Sequence, residues 1–396
     1  MKIKTTESQI LDEKYGLLGA TFAYCPCGDN EDYGSLIMNA SVSNGSDSGV
    51  GNMMWRSYDE GLSWEEIGFV EKSFQYDRRG SMVKMGGNAA LYTDRKAGVI
   101  LYVSNEMYWI ANNYLSTKKF SRPFYRLSFD NGRTWTDKHC IITEGQTKDN
   151  PIPDMVFGRN FAICMAPQII PADDGSLLVG IQCQIVDENG ELFEPEKFHF
   201  FKSGALRARW NEENLRYDWT MSEYVQVTPE ESIRGVFEPT FARLDRNRYM
   251  MVMRNSNYRH ENEVIGQKFC SVSDDNGCHW SRPEPLTYDD GGTMYASSTV
   301  PKLIAHSGGR LFYIGVINDS NPSGNGPRFP LCIAEIDRES HRVKRDTVTV
   351  IDTARPEHNA KSPADYTNHG VFEDSKGRII VYAPFFGGLN RYEIEV

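Results

Sequence analysis

Four stretches far apart in the chain hold residue types able to move protons and to grip anions. Asp47 sits in a Gly/Ser-rich run, NGSDSGVGNMMWRS. Glu238 is the second residue, and Arg254 the last, of FEPTFARLDRNRYMMVMR. Arg328 opens a strand-like run after a glycine-rich loop in SNPSGNGPRFPLCIAEID, and Tyr366 and His369 lie in ADYTNHGVFEDSKGRIIVYA. Carboxyl, phenol and imidazole groups serve proton transfer, and guanidinium groups pair with carboxylates through two parallel hydrogen bonds. A flexible loop is a suitable place for an acid such as Asp47 that must approach a leaving oxygen. Metal chemistry is not indicated. The eight cysteines are scattered, with only Cys25 and Cys27 close together. The eight histidines form no H-x-x-x-H pattern. Neither a transition-metal site nor a cofactor is expected.

Residues so distant can meet only if the chain returns repeatedly to one place, and a repeat provides this. The pattern Ser-x-Asp-x-Gly-x-x-Trp occurs as SYDEGLSW at Ser57 to Trp64, SFDNGRTW at Ser128 to Trp135 and SDDNGCHW at Ser273 to Trp280. Its Gly suits a positive φ, its Asp can accept turn amides, and its Trp can pack a hairpin onto a sheet. The first two boxes start 71 residues apart and the next two 145, close to double. A decayed box is therefore expected midway, at Arg209 to Trp219, with another degenerate turn near Ala334 to Ser340. Short apolar runs bracket the turns and long helices are not evident. A period near 70 residues fits blades of four strands. The fold expected is all-β, a six-bladed β-propeller in one domain over residues 1–396. Its last strand, Arg391 to Val396, should pair with or lie beside an N-terminal strand to close the ring.

These boxes and their spacing resemble those of the sialidase superfamily over nearly the whole chain. The resemblance implies a site where loops of several blades converge at one end of the central channel. Glu238 resembles the glutamate that hydrogen-bonds the nucleophilic tyrosine, and Tyr366 resembles that tyrosine. Arg254 and Arg328 resemble the second and third arginines of a substrate-binding triad. Asp47, five residues before Asn52, resembles the acid/base aspartate. The implied mechanism is retaining, with a neutral phenol attacking an anomeric carbon that bears a carboxylate. It requires a hydrogen bond between Tyr366 and Glu238, with both arginines in the same pocket.

One departure bears on the substrate. Sialidases carry their first arginine in an Arg-Ile-Pro motif on the first strand, which here reads GLLGATFAYCP, and Arg56 is the first arginine of the chain. Arg78, Arg79, Arg159 and Arg234 are the possible substitutes from other blades. Without one, first-strand residues such as Thr21 and Phe22 would select a sugar whose acidic group sits differently or is absent. The reading is an exo-acting glycosidase on a terminal acidic sugar, sialic acid or a relative. The alternatives are a sialidase-fold lyase on uronates with His369 as its base, a rhamnosidase or arabinanase, and a non-catalytic carbohydrate-binding propeller. Clustering of Asp47, Glu238, Arg254, Arg328 and Tyr366 at one mouth would favour an enzyme, and dispersal over both faces a binder.

The partner expected is an oligosaccharide or glycoconjugate. A net charge of −11 with no basic run argues against nucleic acid and anionic membranes. The longest apolar stretches, such as Tyr249 to Met253, fall far short of the roughly 20 residues that span a bilayer. The polar start lacks an apolar signal core, so a cytoplasmic location is expected. Composition leaves the oligomeric state open. Two arginines should hold a sialoside carboxylate less well than three, each lost charge-assisted bond costing roughly 1.5–3 kcal/mol. On an aryl sialoside kcat/KM should therefore fall below the ordinary range of about 10⁴ M⁻¹s⁻¹. A value above it would mean that another cation fills the vacancy.

Overall fold

A strand whose alternate residues are both apolar has two faces to cover, and this requirement governs the architecture. In Arg248–Arg254, Met250 and Val252 pack into one apolar layer while Tyr249, Met251 and Met253 pack into another. The computed structural model, which describes residues 1–6, 9–10, 16–26, 34–43, 49–75, 82–109, 119–164, 168–355, 364–385 and 388–396, meets the requirement with a ring of six antiparallel sheets. Six apolar clusters fill the gaps between neighbouring sheets, from blades one and two round to blades six and one. Each sheet is thus sandwiched, as a two-faced apolar strand demands.

Blade one runs outward through Gly16–Tyr24, Leu36–Ser43, Gly49–Ser57 and Glu65–Lys72. Blade two follows with Met82–Asp94, Val99–Trp109, Lys119–Ser128 and His139–Cys140, and Phe74–Gln75 adds a short strand beside the first. Blade three has two short inner strands, Ala162–Ile163 and Ile169–Pro171, then Ser176–Gln184, Phe201–Asn211 and Arg216–Met221. Blade four is Phe237–Asp245, Arg248–Arg254, Phe269–Ser273 and Glu284–Pro285. Blade five is Lys302–Ala305, Leu311–Val316, Leu331–Ile336 and Thr349–Asp352. Blade six takes Gly370–Glu373, Ile379–Phe385 and Gly388–Glu395 from the end of the chain and its outermost strand, Lys2–Thr5, from the beginning. Lys2 faces Glu395 and Thr5 faces Tyr392 in that ladder, the closure expected from the sequence. Gln9–Ile10 extends it against Leu389 and Gly388.

All three boxes join the third strand of a blade to its fourth, and both degenerate turns occupy the same place in blades three and five. Blade six has no such turn because its third and fourth strands come from opposite ends of the chain. In the first box Ser57 donates to Asp59 (2.8 Å) and accepts from the Gly61 amide (2.8 Å), while Asp59 accepts the Ser63 amide (2.8 Å). The same bonds recur in the other two boxes. Glu60 and Gly61 both have positive φ, 61° and 79°. The turn also joins blades. A Cβ on Gly61 would lie 2.3 Å from the hydroxyl of Tyr382 in blade six, and one on Gly132 would lie 2.3 Å from Ile37 of blade one. The first arginine of the chain, Arg56, is used here, donating to Ser35 (3.1 Å) and to the Asn131 carbonyl inside the second box.

Seven of the eight cysteines are described, no disulfide joins them among the described residues, and Cys25, Cys164, Cys183 and Cys332 are buried.

The two roles of a box glycine can be separated by measurement. Gly98 has φ 68° with nothing within 4 Å of the place a methyl group would take, so Gly98→Ala should lose about 1 kcal/mol of stability through backbone conformation alone. Gly61→Ala adds the clash with Tyr382 and should lose about 2–4 kcal/mol in urea unfolding. Equal losses would mean that the box does not clamp neighbouring blades.

Candidate functional site

The inner strand of blade four begins irregularly. Glu238 has φ 51°, a left-handed backbone that few residues other than glycine adopt. The ladder to the second strand breaks register between Phe237 and Thr240, a β-bulge. Pro239 follows and further narrows the conformations open to Glu238. Such a backbone costs about 1–3 kcal/mol and persists where surrounding contacts hold it. Two contacts do so. The Glu238 amide donates to Gln182 Oε1 of blade three (2.8 Å), and the carboxylate receives Arg254 Nη1 (2.7 Å). Both side chains of this ion pair are largely buried. The bulge re-aims a carboxylate toward the channel mouth. Nothing in the residue types around Glu238 announces it.

Arg254 ends the second strand and uses every edge of its guanidinium. Besides Glu238, it donates through Nε to Ser298 Oγ (2.9 Å) and through Nη2 to Asn325 Oδ1 (3.0 Å). Asn325 lies in the loop before the third strand of blade five, and its carbonyl accepts Arg328 Nε (3.3 Å). Arg328 in turn pairs with Asp365 (2.5 Å), the residue before Tyr366. Glu238, Arg254, Arg328 and the backbone around Tyr366 therefore form one connected set across blades four, five and six. Antiparallel pairing puts this set at the end of the ring opposite the Asp-boxes: Arg254 is level with Phe237, and Ser273, which opens the third box, lies at the far end with Tyr249.

Three more cations stand near Glu238, and residue types alone had not singled out the two lysines. The guanidinium groups of Arg234 and Arg254 both lie over the Phe237 ring, 5.1 and 4.9 Å from its centre. Lys302 is the first residue of blade five's inner strand, and Lys268 precedes blade four's third strand. Burial pushes the Lys302 ammonium down to about 8, and the charge of Glu238 restores only part of the shift. Burial likewise takes Lys268 well below its usual range, and its Nζ donates to the carbonyls of Ser297 (2.7 Å) and Thr299 (2.6 Å). Setting Lys268 aside, Arg234, Arg254, Arg328 and Lys302 face the two carboxylates of Glu238 and Asp365. Within this connected set the four cations outnumber the two carboxylates.

Several expectations need correction. Tyr366 is not hydrogen-bonded to Glu238. Its ring is buried in the apolar layer between blades five and six with Phe312, Ile314 and Ile351, and its hydroxyl donates to the Thr353 carbonyl (3.1 Å). Among the described residues its link to the mouth is through the backbone, the amide donating to the Arg328 carbonyl (3.1 Å). His369 is unsuited to act as a lyase base. It is buried, its ring nitrogens face the carbonyls of Tyr366 (2.9 Å) and Ile314 (3.2 Å), and burial lowers it to about 4. Thr21 donates to the Ala89 carbonyl of blade two, and Phe22 packs on Trp64, Phe372 and Tyr382 toward the Asp-box end. Neither selects a sugar at the Arg254 mouth. Of the possible replacement arginines, Arg159 pairs with Glu191 in solvent, and Arg234 stands beside Arg254. Asp47, Arg78 and Arg79 lie outside the described residues.

Residues 41–347 match the family model of the BNR repeat-like domain. Among solved structures the chain is similar to the Hadza microbial sialidase Hz136, at 16% identity and TM-score 0.62, covering 96% of this chain and 66% of that one. It is similar to the K499G mutant of NanB sialidase from Streptococcus pneumoniae at 12% identity and TM-score 0.62, covering 98% and 70%. A protein of unknown function from Dyadobacter fermentans matches end to end, 99% of each chain, at 14% identity and TM-score 0.64. This chain thus spans just under two thirds of the Hadza sialidase, and at these identities the likeness is one of fold. Among curated proteins none matches the sequence.

Lys302 gives the site a pH signature. Its folded value near 8 lies below the ordinary 10.5, so between those values the unfolded chain binds more protons and stability rises with pH. The stability of wild type relative to Lys302→Met should climb from about pH 8 toward 10.5, by at most roughly 1.4 kcal/mol per unit. Urea unfolding of both proteins at several pH values reads this directly. A flat difference would show that Lys302 is not held as a buried cation.

Proposed function

This chain belongs to the BNR repeat-like domain family, and from that premise we propose that it is a glycoside hydrolase acting on a terminal acidic sugar, sialic acid or a relative, at the mouth around Glu238. The observation that carries the reading is a buried carboxylate on a left-handed backbone, set among four cations where blades three to six converge. Strained backbone concentrates where function requires a side chain to be aimed. The surplus positive charge supplies attraction for a carboxylate-bearing sugar. Solved neighbours of the same fold bear the name sialidase, which supports a glycan as the ligand class.

In this reading Arg328, the more exposed arginine of the pair (31% against 11%), receives the sugar's acidic group, and Arg254 positions Glu238. Glu238 is the base that takes the proton of the attacking group. With Tyr366 turned into the core, that group is water, and no covalent step passes through the phenol.

A panel of aryl sialosides, aryl rhamnosides, arabinan and uronate oligosaccharides would identify the sugar, and absorbance of unsaturated uronate would separate lyase from hydrolase. On the best substrate Glu238→Gln should lose about 10²- to 10⁴-fold in kcat. Arg328→Ala should act chiefly on KM, raising it roughly 10- to 100-fold for loss of a charged hydrogen bond. Tyr366→Phe should keep kcat within a few-fold while losing about 1 kcal/mol of stability with the Thr353 bond. Collapse of kcat in Tyr366→Phe, at preserved stability, would restore the tyrosine-nucleophile route and overturn this assignment.

A further inference from the structure

Blade three's second strand, Ser176–Gln184, carries two glutamines on one face, Gln182 and Gln184, separated by one alternation of about 7 Å. Gln182 holds the amide of Glu238. One step nearer the rim, Gln184 holds a pair to which neither the sequence nor the proposed reaction gives a role. His199 Nδ1 faces Glu194 Oε1 and Gln184 Nε2, each at 2.7 Å. Nδ1 either donates to the carboxylate or accepts from the amide, and Gln184 Oε1, buried without a partner among the described residues, can turn toward a protonated Nδ1, so the proton can sit on the ring or on Glu194. The pair is partly open to solvent, 26% for His199 and 23% for Glu194. Between its members runs the turn Pro195–Lys197, with Glu196 and Lys197 both in left-handed backbone, φ 55° and 61°. Aromatic rings connect it to the arginines: His199 meets Phe161 (5.9 Å) and Phe201 (6.2 Å), Phe201 meets Phe237 (5.8 Å), and Arg254 lies over Phe237.

We propose that Glu194 and His199 form a proton-transfer dyad that protonates the leaving oxygen of the sugar bound at Arg254 and Arg328. The proposal rests on the reading of that mouth as an acidic-sugar hydrolase. As the bond from the anomeric carbon to the glycosidic oxygen breaks, its electron pair leaves with the oxygen, which takes the dyad's proton. Water supplies the new bond to the anomeric carbon. Glu238 takes the water's proton and returns it through solvent to the dyad, so both carboxylates end the turnover as they began. A base beside the anomeric carbon and an acid nearer the rim is the order an exo-acting enzyme needs, because the rest of the glycan leaves toward solvent.

The test compares two leaving groups on the same acidic sugar, a 4-nitrophenyl glycoside and an alkyl glycoside, for wild type, Glu194→Gln, His199→Gln and Asp47→Asn, with thermal midpoints of each. Nitrophenolate leaves without a proton and alkoxide does not. Both dyad variants should therefore lose about 10²- to 10⁴-fold on the alkyl glycoside and less than about tenfold on the nitrophenyl glycoside. Glu194→Asp should recover part of the loss. Equal losses on both substrates, no loss, or a selective loss in Asp47→Asn alone would overturn the dyad. A wild type inert toward every acidic sugar would instead sink the reading of the mouth, and the dyad's role with it. An active wild type with unselective variants sinks the dyad only.

Discussion

Covering two apolar faces on every sheet is the constraint from which the rest of the structure follows. A lone blade would leave both faces in water. Only a closed ring of blades gives each face a partner, and the six apolar layers are the result. The Asp-box serves the same end. Its hydrogen bonds set a tight turn, and its glycine lets the neighbouring blade come within a distance that any side chain would forbid. Arg391 and Arg56 bind the carbonyls of Glu60 and Asn131 in the boxes of the next blades round, so each turn is tied to the blade before it.

Because that end of the ring is committed to closure, the opposite end is available for chemistry. There the strands of blades four, five and six start or stop beside one another, and long loops can carry Ser298, Asn325 and Asp365 to the same arginines. The cost of collecting charges in a buried place falls on Glu238. Its carboxylate is covered by Arg254, and its backbone is fixed by a glutamine from the adjacent blade, so the charge and the strain are both secured from outside its own strand.

The fold was legible because it is written locally and repeatedly. Ser57, Ser128 and Ser273 each begin a box whose bonds stay within eight residues, and the doubled interval located the decayed turn of blade three. Glu238, Arg254 and Arg328 were legible as types placed at strand ends. What escaped was side-chain direction. Tyr366 has the sequence context of a mouth residue, yet the layer formed by Phe312 and Ile351 takes its ring inward, and no local pattern encodes that preference. Nothing in the sequence singled out Lys268 and Lys302, since burial depends on which blades come to flank them. The Glu194–His199 pair and the Gln182–Glu238 contact escaped for the same reason: each partner's significance lies in another strand or another blade.

The clasp of blade six has a temporal side. Residues 2–5 are made well before the strand that receives them, Gly388–Glu395; the bond from Thr6 to Arg391 spans 385 positions. During synthesis the opening strand must wait with its ladder groups unmatched, the condition in which strands capture the wrong partner. Lys2 and Lys4 are exposed on that strand. Their charges make it a poor template for other chains while it waits, and in the finished ring they meet Glu395 and Glu393 across the ladder. The same two side chains thus guard the strand before closure and stand opposite acidic residues after it.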